Sequence, residues 1–179
     1  MIADRYPTDC WLTPYARVDL STIEGKGLSA TAPIYRGDVV IRLGGQLIDD
    51  ATLGTLAPPY SSLTIRKGLN LLLDPSHPVR YGNHSCDPNL WHADATTVVA
   101  RRLVTAGEEL TIDYATHTGI ETWTMACQCR SAICRGNVTG RDWRLPQLQD
   151  AYGDHWSPPL LDRIHAEVLR RAPPAPPGG

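Results

Sequence analysis

The ten residues from Arg80 to Asn89 combine several kinds of reactive side chain. The stretch reads RYGNHSCDPN and contains an amide, an imidazole, a hydroxyl, a thiol and a carboxylate. Asn83 and His84 can hydrogen-bond a polar ligand, and Cys86 is a soft ligand of the type that zinc prefers. An ordinary Asx-type loop ahead of the proline would explain the same residues. The positions of the other cysteines favour a chemical role.

Three of the five cysteines lie close together in CQCRSAIC, as Cys127, Cys129 and Cys134. Three thiols cannot all pair with one another, and a reducing compartment would keep them available for metal. They match a tetrahedral zinc site that lacks one ligand, and Cys86 is the obvious fourth. Cys10 is left over, and we interpret it as a small buried apolar side chain.

Short strands must position these residues. Gly25 and Gly27 flank Lys26, which predicts either a plain hairpin turn or a close approach of the backbone to a ligand. Strands are expected over 28–32, 38–43, 63–65, 69–73 and within 91–104, whereas the loose spacing of apolar residues over 46–56 is helical.

The segment GEELTIDYA has the alternation of a half-buried strand. Leu110 and Ile112 would share one face, Thr111 and Asp113 the other, and Tyr114 would lie at the end of the strand. We interpret the carboxylates of this segment, Glu108, Glu109 and Asp113, as a turn followed by a solvated face with structural roles.

The C-terminal region predicts one helix and a flexible tail. Leu160, Leu161, Ile164 and Val168 recur at helical spacing after a serine and a proline, so this helix would pack on the domain or form a homodimer. The closing PPAPPGG cannot build a core.

Composition and charge bear on the partners and the cellular compartment of the protein. The net charge of -2 gives no basic field for a nucleic-acid partner. The chain has no apolar run of membrane-spanning length and no signal-peptide core, so we expect no membrane partner and an intracellular protein, cytoplasmic or, in a eukaryote, nuclear.

Five motifs in order resemble the SET-domain protein lysine methyltransferases that carry a post-SET zinc motif. They are GKGLSA, GDVVIRLGGQLIDD, NHSCDPN, GEELTIDYA and CQCRSAICRG, which together cover roughly residues 23–136. The resemblance implies an α+β, β-rich SET fold in which the segments around Asn83 and Tyr114 thread in a knot-like way. It implies a SET domain over 1–121, a post-SET zinc segment over 122–140, a C-terminal helical extension over 141–172 and a flexible tail over 173–179.

The resemblance also implies roles for individual residues. Tyr114 corresponds to the catalytic tyrosine. S-adenosylmethionine would be bound by Gly25, Lys26, Gly27, Leu28, Tyr81, Asn83 and, mostly through its backbone, His84. The substrate channel would be lined by Leu43, Tyr60, Ile112 and Trp123. A structural zinc ion would be held by Cys86, Cys127, Cys129 and Cys134.

Departures from the family pattern concern the substrate. Ile112 stands where the family commonly has Phe or Tyr, and Leu43 where it frequently has Tyr. The loss of these hydroxyls should admit methylated lysine and predicts di- or trimethylation. The acceptor would be a lysine of a histone or another basic protein, with a small-molecule amine as an alternative. A module that binds cofactor or peptide without turnover is the second interpretation, and Trp123 and Trp143 are as compatible with core packing as with the channel.

Overall fold

The chain folds into thirteen short strands and three α-helices within the part that the structure describes. The structure is a computed structural model that describes residues 6–57 and 61–171. The strands are β1 Trp11–Leu12, β2 Ala16–Leu20, β3 Lys26–Ala30, β4 Val39–Arg42, β5 Gly45–Ile48, β6 Ser62–Arg66, β7 Leu69–Leu73, β8 Asn83–His84, β9 Leu90–His92, β10 Thr97–Ala100, β11 Glu109–Ile112, β12 Thr124–Ala126 and β13 Asn137–Thr139. The helices are α1 Asp50–Gly54, α2 Pro146–Tyr152 and α3 Pro158–Arg171. This confirms the predicted α+β class with mostly short strands.

Two four-stranded sheets form the centre of the domain, in the orders β1-β4-β10-β9 and β2-β3-β11-β8. Their buried side chains are mainly aliphatic and β-branched, which suits a pleated surface packed on a core. Leu28, Val40 and Leu110 are fully buried in this first core. The two sheets therefore share one apolar interior.

The strand β8 runs parallel to β11, although each comes from a different part of the chain. Asn83 lies opposite Thr111, and His84 lies opposite Ile112. The two predicted motifs therefore meet side by side, as expected, while the knot-like threading stays a prediction.

The β11 strand is buried on both faces, so the prediction of a half-buried strand is wrong. Leu110 and Asp113 have no exposed surface, and Thr111 is 6% exposed. The strand lies between β3 and β8 in its sheet, so both of its edges are paired as well. The alternation of apolar and polar residues predicted the strand correctly. It could not predict that the face with Thr111 and Asp113 is also buried.

An insert of three strands, in the order β5-β7-β6, precedes the reactive stretch. The helical prediction over 46–56 is correct only for α1, because Gly45–Ile48 pairs with β7 as a strand. Lys67 and Gly68 form the turn between the strands predicted over 63–65 and 69–73, and Gly68 adopts a φ of 76°, which a side chain would oppose. The insert has its own small core of Leu63, Ile65 and Leu71.

A third core lies under the C-terminal region. Trp143 and Trp156 are each 2% exposed there, and Leu160 and Ile164 of α3 pack with them. Aromatic side chains of this size bury large areas, so α2 and α3 belong to the folded domain. The predicted helix is confirmed, and Trp143 is a core residue.

The antiparallel hairpin of β12 and β13 carries Cys127, Cys129 and Cys134 in its loop, which is called the cysteine loop below. The predicted tail over 173–179 and Tyr60 lie outside the described residues. Within the described part, no helix is long and apolar enough to cross a membrane.

Candidate active site and metal centre

Tyr114 lies between two cavities and contributes to the wall of both. The larger cavity has a volume of about 360 Å³, and the smaller has about 190 Å³. A single tyrosine separating two spaces is the arrangement that a transfer between two ligands requires, because each ligand can approach the same side chain from its own side.

The backbone and hydroxyl of Tyr114 are both fixed. Its hydroxyl donates to the carbonyl of Gly82 at 2.8 Å, and its N–H donates to Nδ1 of His84 at 3.1 Å. Burial raises the pKa of Tyr114, and the charge of Glu109 acts in the same direction. The hydroxyl therefore stays protonated at neutral pH, and its oxygen lone pairs remain free to accept a hydrogen bond.

The imidazole of His84 connects Tyr114 to the cysteine cluster. Its Nδ1 accepts from Tyr114, so its Nε2 carries the proton and faces Sγ of Cys86 at 3.4 Å. Burial lowers the pKa of His84 to about 4, which keeps the ring neutral. Because both ring nitrogens are occupied, a ligand would meet His84 through its backbone.

The smaller cavity is bordered by the reactive stretch on one side and by the cysteine hairpin on the other. Asn83, His84 and Tyr114 line the first side. Met125, Ala126 and Gln128 line the second side. The loop that carries the cysteines is therefore also a wall of this cavity.

Asn83 ties this cavity to the glycine-flanked turn. Its Nδ2 lies 3.0 Å from the carbonyl of Lys26 and 2.8 Å from Oε1 of Glu109. A Cβ on Gly27 would collide with the Glu109 carboxylate and lie 3.2 Å from Nδ2 of Asn83. A side chain at Gly27 would therefore force Glu109 to shift away from Asn83, while Gly25 takes the left-handed φ of 51° that its turn needs.

Other predicted cofactor residues have a less direct relation to the cavity. Leu28 is fully buried in the first core, so only its backbone could face a ligand. The Lys26 ammonium lies 5.5 Å from the ring centre of Tyr81, which packs against the same core. The side chains of Lys26 and Tyr81 are therefore close together, but neither borders the smaller cavity.

The wall of the larger cavity is mainly apolar. It includes the predicted channel residues Leu43, Ile112 and Trp123. It also includes His92 and His117, which the sequence interpretation missed. They are 25 residues apart in the chain, and no local motif relates them, so only the fold could show this pair.

His92 and His117 form a pair of neutral imidazoles. Nε2 of His92 lies 3.4 Å from Nδ1 of His117. Burial lowers the pKa of His92 to about 3 and that of His117 to about 4. Neither ring adds a positive charge to the cavity at neutral pH.

The four predicted metal ligands come together in space. The Sγ atoms of Cys86, Cys127, Cys129 and Cys134 all lie within 4.8 Å of one another, so they could hold one metal ion. Cys10 is outside this group, and its half-buried thiol donates to the carbonyl of Gly44 at 3.1 Å. Of the five cysteines, the fold therefore selects the four that were predicted.

Each of the four sulfurs accepts a backbone N–H. The donors are Arg135 to Cys86 at 3.3 Å, Cys129 to Cys127 at 3.5 Å, Cys86 to Cys129 at 3.4 Å and Gly136 to Cys134 at 3.4 Å. Burial raises the pKa of the Cys86 thiol to about 11. At Cys129, burial is outweighed by the N–H of Cys86 and the Ser131 hydroxyl, which lower its pKa to about 6. Such donors stabilise thiolates, the form that binds metal.

Asp113 is fully buried and not on a solvated face, which corrects that prediction. Arg135 donates two hydrogen bonds to its carboxylate, at 2.6 and 2.7 Å, and the Tyr152 hydroxyl donates a third at 2.9 Å. Burial alone would raise the pKa of Asp113, but the hydrogen bonds and charge of Arg135 lower it. The predicted structural role of Asp113 stands: its hydrogen bonds join the end of β11 to the cysteine loop and to α2.

Glu109 is not solvated either. It is half-buried, accepts hydrogen bonds from Ser21 and Asn83, and therefore belongs to the surroundings of the smaller cavity. The buried amide of Asn89 accepts from the Thr111 N–H at 2.9 Å and donates to the Glu109 carbonyl at 2.7 Å. These bonds hold the reactive stretch against β11.

Comparisons with known proteins agree with this geometry. Residues 25–115 match the SET domain family. Histone-lysine N-methyltransferase trithorax of Drosophila virilis is 34% identical over an alignment of 137 residues, and the alignment covers 68% of this chain and 4% of that protein. The H3 lysine-36 specific histone-lysine N-methyltransferase of Yarrowia lipolytica is 30% identical over an alignment of 147 residues, and the alignment covers 71% of this chain and 19% of that protein.

A solved structure shares the fold. The methyltransferase domain of human histone-lysine N-methyltransferase SETMAR aligns with a TM-score of 0.55 and 18% identity, over 70% of this chain and 58% of that one. The chain thus spans only a small part of the curated relatives' length, but the family match covers just over half of its own 179 residues. The chain belongs to the SET-domain family.

Proposed function

We propose that the chain is an S-adenosylmethionine-dependent protein-lysine N-methyltransferase. The observation that carries this proposal is the position of Tyr114 in the walls of two cavities, of which the smaller includes Asn83 and His84 of the reactive stretch and the larger is lined mainly by apolar side chains. The smaller would take the methyl donor, and the larger would take the side chain of the acceptor lysine.

The residues around the smaller cavity suit the donor. Bound S-adenosylmethionine supplies a methyl group on a positively charged sulfonium sulfur. The amide of Asn83 and the backbone around Gly27 and His84 would hydrogen-bond its polar ends, and the Glu109 carboxylate would favour its positive charge. We assign cofactor binding to Gly25, Lys26, Gly27, Leu28, Tyr81, Asn83 and His84.

The larger cavity suits the aliphatic stem of a lysine. An unperturbed lysine has a pKa of about 10.4 and must lose its proton before its nitrogen can attack, and an apolar channel favours the neutral form. Tyr114 would act as the catalytic residue by accepting a hydrogen bond from the amine and aligning it. No carboxylate borders this cavity within the described residues, so no dedicated carboxylate base is assigned.

Zinc is the metal that the cysteine cluster fits best. A Zn–S bond of ~2.3 Å in a tetrahedral site places the sulfurs roughly 3.8 Å apart. The Sγ atoms of Cys86 and Cys127 are 3.7 Å apart. Four thiolates would leave no position open for water, so the role of the ion would be structural, linking the two walls of the smaller cavity.

The methylation state follows from the wall of the larger cavity. Leu43 and Ile112 offer no hydroxyl there, so methyl groups on the amine would displace no hydrogen-bonded partner at these positions. We therefore propose di- or trimethylation. Mass spectrometry of a substrate after long incubation tests this, and a product that stops at the monomethyl form would contradict it.

The proposed substrate is a lysine of a histone or another basic protein, in an intracellular compartment. Relatives are named histone-lysine N-methyltransferases, which supports this class. Val168 and Leu169 at the end of α3 are exposed, and a homodimer through them remains a proposal that light scattering would test. We retain the division into a SET domain, a post-SET segment and a helical extension.

Transfer of a radiolabelled methyl group from S-adenosylmethionine to core histones and to a pool of basic proteins tests the function. We expect Tyr114→Phe to lower the rate by roughly 100-fold, because the oxygen that aligns the amine is lost. Tyr15→Phe is the matched control, since Tyr15 is 54% exposed and lines neither cavity. Binding of the cofactor without transfer to any acceptor would instead favour a binding module.

A further inference from the structure

We propose that His117, held in place by His92, is a second hydrogen-bond acceptor for the amine in the larger cavity and so determines which methyl transfers are fast. The inference rests on the proposed methyltransferase function and adds a positioning residue to it. It comes from the composition of the cavity wall, where most side chains cannot hydrogen-bond. These are Ile41, Leu43, Leu63, Leu73, Val79, Leu90, Val98, Leu110 and Ile112.

The polar groups of this wall are unequal. Arg80 and Ser62 are exposed, and Arg80 can only donate. Tyr114, His117 and Thr118 come from one short segment, and the ring of His117 lies 5.5 Å from that of Tyr114. Of the two imidazoles that line this cavity, His117 is therefore the one whose ring contacts the residue that would align the amine.

The contact with His92 orients the His117 ring. One of the two facing nitrogens must donate across the 3.4 Å separation. Burial lowers the pKa of His92, so the ring is neutral and carries one proton, and the charge and backbone of Asp94 act in the opposite direction to burial. Nδ1 of His92 is buried and makes no hydrogen bond of normal geometry within the described residues. In the tautomer of His92 that carries its proton on Nδ1, Nε2 of His92 accepts a hydrogen bond from Nδ1 of His117. Nε2 of His117 then has no proton and can accept a hydrogen bond from a ligand.

A neutral acceptor beside Tyr114 suits the transfer chemically. The amine first loses a proton to water. Its nitrogen lone pair then forms the bond to the methyl carbon, the carbon–sulfur bond breaks, and the electron pair stays on sulfur. An unmethylated amine has two N–H groups, which the Tyr114 oxygen and Nε2 of His117 can accept together. This leaves the lone pair free and fixed in direction.

The number of N–H groups falls with each methyl group. A monomethylated amine has one, which either acceptor can take, and a dimethylated amine has none. The contribution of His117 should therefore be largest in the first transfer, smaller in the second and absent in the third. A residue that only supported the fold would affect all three equally.

Kinetics on one peptide in three states test this pattern. The probe is a histone H3 N-terminal peptide with one lysine unmodified, monomethylated or dimethylated. We expect His117→Leu to slow the first transfer about tenfold and to leave the third unchanged. His117→Asn, which restores an acceptor oxygen, should recover part of the loss. Thr118→Val is the matched control, because it removes the neighbouring half-buried hydroxyl.

A uniform loss over the three peptides, or the selective loss in Thr118→Val instead, would overturn the assignment while leaving the methyltransferase function in place. If the protein methylates none of the three peptides, ligand binding followed by NMR still tests the role of His117. In protein labelled with ¹⁵N-histidine, n-butylamine should move the Nε2 resonance of His117, whereas n-butyltrimethylammonium, which has the same charge and no N–H, should not. Equal shifts, or none, would refute the proposal. A selective shift in a protein that methylates none of the peptides would support His117 and reject the proposed function.

Discussion

Replacement of Arg135 by Met should destabilise the domain more than its partly exposed position suggests. The side chain makes two charge-assisted hydrogen bonds to Asp113, whose carboxylate has no exposed surface. Removing one partner of a buried ion pair costs about 3–5 kcal/mol. The Tyr152 hydroxyl and the Ala115 N–H still bond the carboxylate in the variant, so we place the loss at the lower end, about 3 kcal/mol.

The loss is measurable by urea or thermal unfolding. For a chain of this size, 3 kcal/mol corresponds to a fall in Tm of roughly 6–12 °C. Arg17→Met is the matched control, because Arg17 pairs with Asp19 at 2.7 Å but its side chain is 66% exposed. We expect the control to cost less than about 1 kcal/mol.

A double-mutant cycle identifies the cause. Asp113→Asn removes the charge that Arg135 compensates, so the double variant should be less destabilised than the sum of the two single variants, by about 2 kcal/mol. Bound metal should be retained in Arg135→Met, since the Arg135 N–H still donates to Cys86. A coupling below about 0.5 kcal/mol, or a stability equal to that of Arg17→Met, would refute the reasoning.

The pH dependence has a definite sign. Arg135 outweighs burial and lowers the pKa of Asp113 in the folded state below its ordinary 3.8. The stabilisation is therefore complete above the ordinary pKa and is lost as the pH falls through the folded value. The difference in unfolding free energy between wild type and Arg135→Met should shrink below about pH 4.

The remaining predictions concern the metal and the cofactor. Cys129→Ser should lose bound zinc and unfold more easily, because Cys129 is one of the four cluster cysteines. Cys10→Ser should keep one zinc per chain, because Cys10 lies outside the cluster. Elemental analysis measures the zinc content of both variants, and a wild-type protein without metal would contradict the zinc assignment. Gly27→Ala should weaken S-adenosylmethionine binding at least tenfold by calorimetry, because the new methyl group displaces Glu109 and crowds Asn83. Gly54→Ala, where nothing lies within 4 Å of the added Cβ, should bind normally, and equal affinities would show that close packing at Gly27 is unimportant.

Local patterns in the chain predicted a large part of the fold. The turn at Gly68 and the strands on each side of it follow from β-branched and apolar runs broken by a glycine. The C-terminal helix follows from apolar spacing after Pro158. The predictions failed where strand pairing determined the structure, as at Gly45–Ile48, because pairing with the distant strand β7 overrides a weak helical pattern.

The candidate site divides in the same way. Cysteine spacing alone predicted the cluster, since few arrangements of three thiols in eight residues are chemically useful, and the order of the motifs related Asn83 to Tyr114. Neither spacing nor motif order could reveal the bond of His84 to both Tyr114 and Cys86, since it depends on which way a buried ring turns.

The sequence by itself determined the kind of chemistry: a thiol cluster for metal, a glycine-flanked turn, a polar stretch before Cys86 and a tyrosine at the end of a strand. These are properties of residue types and short spacings, which do not depend on what packs around them. The tertiary structure decided the environment of each group. It buried Asp113 against Arg135, placed Tyr114 between two cavities and brought His92 to His117, because contacts between distant segments set burial, charge and hydrogen bonding.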